Sequence, residues 1–137
     1  MDRSKLRVLV VEDHKLAQKM AVMAIEQLGC MVDTADTGAE AITQFKQHRY
    51  DFIFMDLGLP DMDGYTVTET IRGLEEKLHQ HTPIVALTAH VEEEFRENAK
   101  RAGMDDFLSK PLTTDKAEAV LDQYVQPENI SNIKRFK

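Results

Sequence analysis

The sequence predicts an α/β domain in which helices cover both faces of a parallel sheet, because two patterns recur along the chain. Short apolar runs alternate with segments of helical periodicity five times within 137 residues. Runs of four apolar residues are typical of strands that are buried on both faces, as in a parallel sheet. Strict alternation of strands and helices favours βαβ units. A chain of this length fits one domain and can bury a core without disulfides or a structural metal.

The predicted strands are the five apolar runs, of which the first is rich in β-branched residues that favour strands. In chain order they are Val8–Val11, Met31–Val32, Phe52–Met55, Ile84–Leu87 and Phe107–Leu108. The second and fifth runs have only two apolar residues each, so they predict shorter or less buried strands.

The predicted helices follow the strands and show apolar residues at a spacing of three or four. The periodic residues that indicate them are Leu16, Met20 and Met23 in the first helix, Ala41, Ile42 and Phe45 in the second, Val67, Thr70, Ile71 and Leu74 in the third, Phe95, Ala99 and Ala102 in the fourth, and Ala117, Val120, Leu121 and Tyr124 in the fifth. Thr37 and Glu40 predict a capping box for the second helix. Gly29 and Gly103 predict helix ends. Met20, Met23 and Met31 are expected to fill core space as flexible side chains.

Composition and charge exclude several classes of protein. The 24 acidic and 17 basic residues give a net charge of −7, which argues against nonspecific binding to nucleic acid or to an anionic membrane. Most of this excess is expected on solvated helix surface, including Glu75 and Glu76. The single cysteine, Cys30, excludes an internal disulfide and is expected only to pack. No apolar stretch resembles a membrane helix or a signal peptide, so we expect a cytoplasmic location.

Polar side chains follow four of the predicted strands. Glu12 and Asp13 follow the first strand, Asp56 the third and Thr88 the fourth, and Lys110 comes shortly after the fifth. Ligands of open parallel sheets bind beyond the carboxyl ends of the strands, so these side chains are expected to meet there.

Three carboxylates at one edge repel each other unless a cation joins them. Their oxygen atoms, without His or Cys, favour magnesium over zinc or copper. A metal, an ammonium group and a hydroxyl group together suit a transferring phosphoryl group. Asp56, at the end of the middle strand, is the candidate nucleophile.

Four motifs in order resemble the receiver domain of two-component response regulators. They are Val-Val-Glu-Asp at 10–13, Met-Asp-Leu-Gly-Leu-Pro-Asp-Met-Asp-Gly at 55–64, Leu-Thr-Ala at 87–89 and Ala-Gly-Met-Asp-Asp-Phe-Leu-Ser-Lys-Pro at 102–111. The sequences of the last two motifs most resemble those of receiver domains fused to hybrid sensor kinases. The resemblance implies a flavodoxin-like fold with strand order 2-1-3-4-5. It assigns residues 1–126 to a receiver domain and residues 127–137 to a tail or linker stub.

The resemblance also implies a role for each matching residue. Asp56 would accept a phosphoryl group, and Mg²⁺ would be held by Glu12, Asp13, Asp56 and the backbone carbonyl of Gly58. Thr88 and Lys110 would contact the phosphoryl oxygens, Phe107 would be the switch aromatic, and the Lys110-Pro111 bond would be cis. No conventional enzyme activity is expected beyond self-phosphorylation from a phosphodonor and autodephosphorylation. Gly58 and His90 occupy positions that tune the phosphoryl lifetime in the family, and their opposing effects leave that lifetime open.

The first helix is the expected docking site for a histidine kinase or a histidine phosphotransfer domain. Nine of the fourteen residues from Lys15 to Leu28 are apolar, more than one buried stripe uses. Ala17, Ala21, Val22 and Ile25 are expected to form an exposed patch. The alternative is a broad helix buried between its neighbours. No direct contact of this domain with nucleic acid or membrane is expected.

Two other functions compete with phosphoacceptance. One is a protein-binding module that uses the receiver fold without phosphorylation. The other is a small phosphatase, because Asp61-Met62-Asp63-Gly64 resembles the Asp-x-Asp-Gly opening of haloacid-dehalogenase-type enzymes. In those enzymes the first Asp leaves a strand directly, whereas here the apolar run ends at Asp56. Pro, Asp and Gly residues favour a turn at this segment.

Overall fold

The computed structural model of the chain describes residues 3–89 and 93–125. The predictions about His90 and about the tail at 127–137 lie outside these residues. Within them, the elements alternate as strand and helix after a short 3₁₀ turn at Arg3–Lys5.

All five predicted strands are present and pair in parallel. They are β1 (Arg7–Val11), β2 (Met31–Ala35), β3 (Phe52–Asp56), β4 (Ile84–Thr88) and β5 (Asp106–Ser109). Their order in the sheet is β2-β1-β3-β4-β5, which confirms the flavodoxin-like prediction. The strand β2 runs three residues beyond its apolar pair because an edge strand tolerates polar side chains such as Asp33 and Thr34.

Five helices cover the sheet, and their caps explain where they begin. They are α1 (Lys15–Glu26), α2 (Gly38–Gln47), α3 (Gly64–Leu78), α4 (Glu93–Ala102) and α5 (Thr114–Tyr124). Thr37 caps α2 through an N–H of Glu40, as the capping box predicts. Asp63 caps α3, and Thr113 caps α5. Among the described residues, no helix is both long and apolar enough to cross a membrane.

Two apolar layers enclose the sheet, one on each face. Successive residues of a strand point to opposite faces. In β3, Phe52 and Phe54 therefore belong to one core cluster, and Ile53 and Met55 belong to the other. Every residue of β3 and β4 is buried. Cys30 is buried in the first of these clusters, as expected.

Helix α1 packs on the sheet through a different face from the one predicted. Ala21, Ala24 and Ile25 are buried, so the expectation that Ala21 and Ile25 lie on an exposed patch is wrong. Ala17 and Val22, the other two residues of that patch, are half-buried. Small alanine side chains let the helix backbone approach the sheet closely, which favours this face.

The residues expected inside α1 are therefore on its surface. Leu16 is 63%, Met20 40% and Met23 52% exposed, and Met31 at the start of β2 is 53% exposed. The prediction that these methionines fill the core is wrong. Both faces of α1 carry apolar residues at helical spacing, so periodicity alone does not decide which one packs.

Glu75 is buried, with only 2% of the residue exposed, so the prediction that it lies on solvated helix surface is wrong. Its carboxylate accepts a hydrogen bond from Arg72 and one of 2.6 Å from the backbone N–H of Thr82. Arg72 also donates to Asp105 and to the carbonyls of Thr82 and Gly103. Glu75 is thus a buried structural residue, whereas its neighbour Glu76 is exposed as predicted.

Candidate phosphoacceptor site

The carboxyl edge of the sheet brings the predicted polar residues together. Glu12 and Asp13 follow β1 directly, and Asp56 is the last residue of β3. Carboxylate oxygens of these three residues lie within 4.8 Å of one another. Thr88 ends the neighbouring strand β4, and Lys110 follows β5.

Lys110 supplies the positive charge of this site. Its Nζ lies 2.6 Å from Oε1 of Glu12 and 3.2 Å from Oδ1 of Asp56. The backbone N–H of Lys110 donates to the carbonyl of Thr88 over 2.8 Å, which ties the two strand ends together. The Lys110-Pro111 peptide bond is cis, the isomer that the resemblance implies.

Burial makes the charges at this edge costly. Glu12 is 1% and Asp56 7% exposed, whereas Asp13 faces solvent. Burial raises the pKa of Glu12, the Lys110 ammonium opposes this shift, and Asp56 adds to it, so the Glu12 pKa lies above its usual value. Burial lowers the pKa of Lys110, but the nearby Glu12 and Asp56 carboxylates outweigh it and leave that pKa raised. Three carboxylates face one ammonium, so the site holds an excess of negative charge.

The residues fit a magnesium ion. Among the described residues, the buried Oε1 of Glu12 has the ion-pair contact with Lys110 but no hydrogen bond of acceptable geometry. Such an oxygen can still take a hard cation. The cluster offers carboxylate oxygens only, which suit Mg²⁺ with waters completing its octahedron. Gly58 is exposed beside it, and its N–H donates to Oδ1 of Asp56 over 3.3 Å.

A polar residue that the sequence did not single out holds the acidic loop after β1. Gln18, on α1, donates to the carbonyl of Glu12 over 2.8 Å and to Oδ1 of Asp36 over 2.7 Å. The backbone N–H of His14 donates to Oε2 of Glu12. A glutamine within an apolar helix was the available signal, but only the fold shows that it reaches Glu12.

Thr88 and Phe107 lie on adjacent strands beside the site. Thr88 is buried, and Phe107, 9% exposed, belongs to the core cluster that includes Ala86. The register of β4 and β5 pairs Phe107 with Ala86, two residues before Thr88. The Arg96 guanidinium lies 5.7 Å from the centre of the Phe107 ring, within cation–π range.

An apolar groove of about 260 Å³ opens next to the acidic cluster. Leu16, Met20 and Leu112 line it, and Glu12 and Lys110 border it. The exposed apolar residues of α1 therefore continue into the site itself. Of the exposed patch that the sequence predicts on this helix, Ala21 and Ile25 are buried, whereas Ala17 and Val22 are half-buried.

The Asp-x-Asp-Gly segment has a structural role that differs from a phosphatase nucleophile. Asp61 lies in the loop between β3 and α3, five residues after the strand ends at Asp56. Asp63 caps α3 through the N–H of Thr66. Gly64 is required there, because a Cβ would lie 2.3 Å from the carbonyl oxygen of Asp56. These contacts support the predicted turn.

Comparison with known families agrees with this geometry. Residues 8–122 match the response regulator receiver domain family. The chain belongs to that family. This receiver domain is 37% identical over 129 residues to the hybrid signal transduction histidine kinase L of Dictyostelium discoideum, covering 90% of the chain and 8% of the kinase. It is 35% identical over 133 residues to the histidine-protein kinase BarA of Escherichia coli K12, covering 96% of the chain and 14% of that kinase. The chain thus spans a small part of these relatives.

Solved receiver domains share the fold. The receiver domain of the sensor histidine kinase PA1611 from Pseudomonas aeruginosa, solved with a magnesium ion in its active-site cleft, has 35% identity and a TM-score of 0.78 over 87% of this chain and 96% of that one. The Ssk1 receiver domain, solved in complex with the Saccharomyces cerevisiae phosphotransfer protein Ypd1, is 27% identical, with a TM-score of 0.80 and 88% coverage of each chain. Residues 8–122 therefore form a receiver domain of two-component signalling.

Proposed function

We propose that this receiver domain accepts a phosphoryl group on Asp56 from a phosphohistidine of a partner protein, in a magnesium-dependent reaction, and changes conformation in response. The observation that carries the proposal is the position of Asp56. It ends a buried strand, 3.2 Å from the Lys110 ammonium and within one carboxylate cluster with Glu12 and Asp13. We also propose that the domain acts in the cytoplasm.

In the proposed transfer, a carboxylate oxygen of Asp56 forms a bond to phosphorus while the bond from phosphorus to the partner's imidazole nitrogen breaks. The imidazole leaves with the electron pair of that bond and takes up a proton. Lys110 and Thr88 stabilise the oxygens of the phosphoryl group. When bound by Glu12, Asp13, Asp56 and the Gly58 carbonyl, Mg²⁺ supplies positive charge that offsets the carboxylates. Water attack on the acyl phosphate resets the site.

Phosphorylation replaces the single negative charge of the Asp56 carboxylate with an acyl phosphate that carries about −2, so it adds about one negative charge at the end of β3. We infer that Lys110 and the Thr88 hydroxyl turn toward this charge, and that the space beside Thr88 determines the position of Phe107. Phe107 is already buried here. Movement of Thr88 would therefore stabilise the buried position of the Phe107 ring, which the ring already occupies. It would also shift the populations of the conformations of the α4-β5-α5 face.

Mass spectrometry after incubation with acetyl phosphate and Mg²⁺ tests the nucleophile. The parent should gain about 80 Da, one phosphoryl group on the nucleophile. Asp56→Asn should gain none, because an amide oxygen is a poor nucleophile, and excess chelator should prevent the gain in the parent. If Asp56→Asn were labelled as readily as the parent, Asp56 would not be the phosphoacceptor.

Magnesium binding separates this function from a protein-binding module that is never phosphorylated. Because an ion that binds the native state raises stability by mass action, millimolar Mg²⁺ should raise the melting temperature of the parent. Asp13→Asn should lose that shift while remaining folded, since Asp13 is exposed. The absence of any shift in the parent would favour the binding module.

The exposed residues of α1 are the proposed docking surface for the phosphohistidine partner. Leu16, Met20 and Met23 form a surface that meets the groove beside the acidic cluster. The complex of Ssk1 with Ypd1 shows that a receiver domain of this fold binds a histidine phosphotransfer protein. An apolar surface beside the nucleophile suits a partner that must bring its histidine to Asp56.

Phosphotransfer from phosphorylated Ypd1, used as a probe, tests this surface. Met20→Ser should slow transfer about tenfold, the loss expected when an interface contact worth about 1.4 kcal/mol is removed. Labelling by acetyl phosphate should not change. Met31→Ser is the matched control, because Met31 is also exposed but does not line the groove. Equal slowing in both variants would contradict the docking proposal.

A further inference from the structure

The loop between β3 and α3, residues 57–63, is fastened to a helix that is not its neighbour in sequence. The Asp61 carboxylate accepts a hydrogen bond from the Gly38 N–H over 2.8 Å and one from the Ala39 N–H over 2.9 Å. Both amides belong to the first turn of α2. These two hydrogen bonds hold the pKa of Asp61 below its usual value, so the carboxylate remains ionised at neutral pH.

Close packing supports the same junction. A Cβ at Gly38 would lie 2.5 Å from Cγ of Met62 and 2.7 Å from Val67, so the loop lies directly on the α2 backbone. The base of the loop is closed by its own contacts. Gly58 pairs with Asp63 in an antiparallel bridge, and the Gly64 N–H donates to Leu57. The loop is therefore held both at its base and at Asp61.

A residue just before α2 anchors the other acidic loop. Asp36 accepts hydrogen bonds from Gln18 and Lys15, and Gln18 donates to the carbonyl of Glu12. The loop that carries Glu12 and the loop that carries Gly58 are thus both tied to the short segment at 36–39. This common anchor fixes the two loops relative to each other across the cluster.

We propose that Asp61 is a positioning residue for the magnesium site. By holding the loop on α2, it keeps the Gly58 backbone beside Asp56 before the metal binds, so less conformational freedom is lost on binding. Asp61 also caps α2, since it accepts from the Gly38 and Ala39 N–H groups while Thr37 accepts from that of Glu40, so variants of the Thr37 cap are needed to separate capping from positioning. The proposal rests on the function proposed above, since it assigns Gly58 to the metal.

Calorimetric titration of Mg²⁺ into the parent and four variants tests this role. Asp61→Ala should weaken Mg²⁺ affinity about threefold to tenfold, below the 10- to 100-fold typical of groups bonded directly to a metal ligand. Asp61→Asn keeps one acceptor oxygen, so its Mg²⁺ affinity should fall between those of the parent and Asp61→Ala. Thr37→Ala disturbs the same turn of α2, and Glu40→Gln removes a charge from that turn. Both controls should bind Mg²⁺ within about twofold of the parent.

Amide hydrogen exchange in metal-free protein gives a second measurement that does not depend on the metal. The Gly58 and Gly64 amides should exchange faster in both Asp61 variants than in Thr37→Ala, because only the Asp61 variants release the loop. Asp61→Asn serves this purpose even if Asp61→Ala fails to fold.

The outcomes separate the two proposals. If the parent binds Mg²⁺ and the Asp61 variants bind it equally well, the positioning role is wrong and the phosphoacceptor function stands. If the controls lose affinity as Asp61→Ala does, Asp61 acts only through α2 stability or charge, and the positioning role is again wrong. If the parent does not bind Mg²⁺, the proposed function is wrong, and the role of Asp61 falls with it.

Discussion

Two groups of carboxylates, each with a buried glutamate, lie at opposite edges of the same sheet, and they are neutralised to very different extents. At the carboxyl edge, Glu12, Asp13 and Asp56 share the Lys110 ammonium. At the amino edge, Glu75 and Asp105 share Arg72, whose guanidinium is within 2.9 Å of Asp105 and also donates to Glu75 and to two backbone carbonyls.

Backbone amides donate to both groups, but one buried carboxylate oxygen of the first group receives none. In that group, the N–H groups of His14 and Gly58 donate to Oε2 of Glu12 and to Oδ1 of Asp56. The N–H of Thr82 donates to Glu75 and the N–H of Ile84 to Asp105, each within 2.8 Å. At the other edge, the buried Oε1 of Glu12 has only its ion-pair contact with Lys110 among the described residues. Burial of an acid therefore does not by itself mark a functional site. The mark is an excess of charge that the protein itself leaves without compensation.

The size of a cavity does not mark the site either. A groove of about 890 Å³ borders the amino edge, with Arg49, Glu76, His79 and Tyr124 among its walls. The groove at the carboxyl edge is about 260 Å³. The proposed phosphoacceptor site nevertheless lies at the smaller groove, because the uncompensated carboxylates are there.

The largest expected effect tests the amino edge. Arg72→Ala should lower the free energy of unfolding by about 3 to 5 kcal/mol, because it leaves Glu75 as a buried charge without its cation. Chemical denaturation measures this loss. Lys77→Ala, an exposed lysine on the same helix, should change stability by less than about 0.5 kcal/mol. A small effect of Arg72→Ala would mean that the amino edge is not held by charge compensation.

Glu75→Gln should have a smaller effect at the same edge. The amide retains one acceptor oxygen but places an N–H₂ group next to donors, at a cost of about 1 to 3 kcal/mol in the free energy of unfolding. Asp105 remains to balance Arg72, so the loss should stay below that of Arg72→Ala. Urea denaturation of both variants, side by side, gives this order. The reverse order would show that Glu75, not Arg72, holds the network together.

Glu12→Gln should act in the opposite direction, since it removes charge from a site that has an excess. Metal-free protein at pH 7 should gain about 1 to 2 kcal/mol in the free energy of unfolding, in line with other substitutions that relieve strained functional sites. The pKa of Glu12 is raised in the folded state, so the charge of Glu12 destabilises the fold above that pKa.

The stability difference between Glu12→Gln and the parent should depend on pH. The stability advantage of the variant should disappear as pH falls below about 4.5, where Glu12 is protonated in both folded and unfolded states. Millimolar Mg²⁺ should also reduce the advantage, by stabilising the parent alone. Denaturation curves at pH 7 and pH 4 measure both. A variant less stable than the parent at pH 7 would contradict the idea of uncompensated charge.

The smallest expected effect is at the rim of the amino edge. His81 Nε2 lies 2.7 Å from Asp105, but 59% of its side chain is exposed. Solvent screens such a pair, so His81→Ala should change the free energy of unfolding by less than about 0.5 kcal/mol. A thermal melt at pH 7 compares it with the parent. A loss above about 1 kcal/mol would indicate that His81 is part of the hydrogen-bond network around Arg72.

Much of the site follows from the sequence because it lies at strand ends. Runs such as Phe52–Met55 are local signals, and the residue after each run comes to the carboxyl edge once the sheet is parallel. Glu12, Asp13, Asp56, Thr88 and Lys110 were therefore placed together from the sequence. The predicted contents of β1 and β3 and the cap at Thr37 agree with the structure for the same reason.

Only the tertiary structure decided which side of each helix packs and which distant groups meet. Helix α1 has apolar residues on two faces. Close approach to neighbouring elements decides that Ala21 and Ile25 are buried and that Met20 is exposed. Glu75 has an ordinary helix-surface pattern, and its partner Thr82 lies beyond a turn. Asp61 accepts hydrogen bonds from amides of a helix that begins more than twenty residues before it in the sequence. Periodicity and capping act within a few residues, whereas these contacts depend on how separate elements pack.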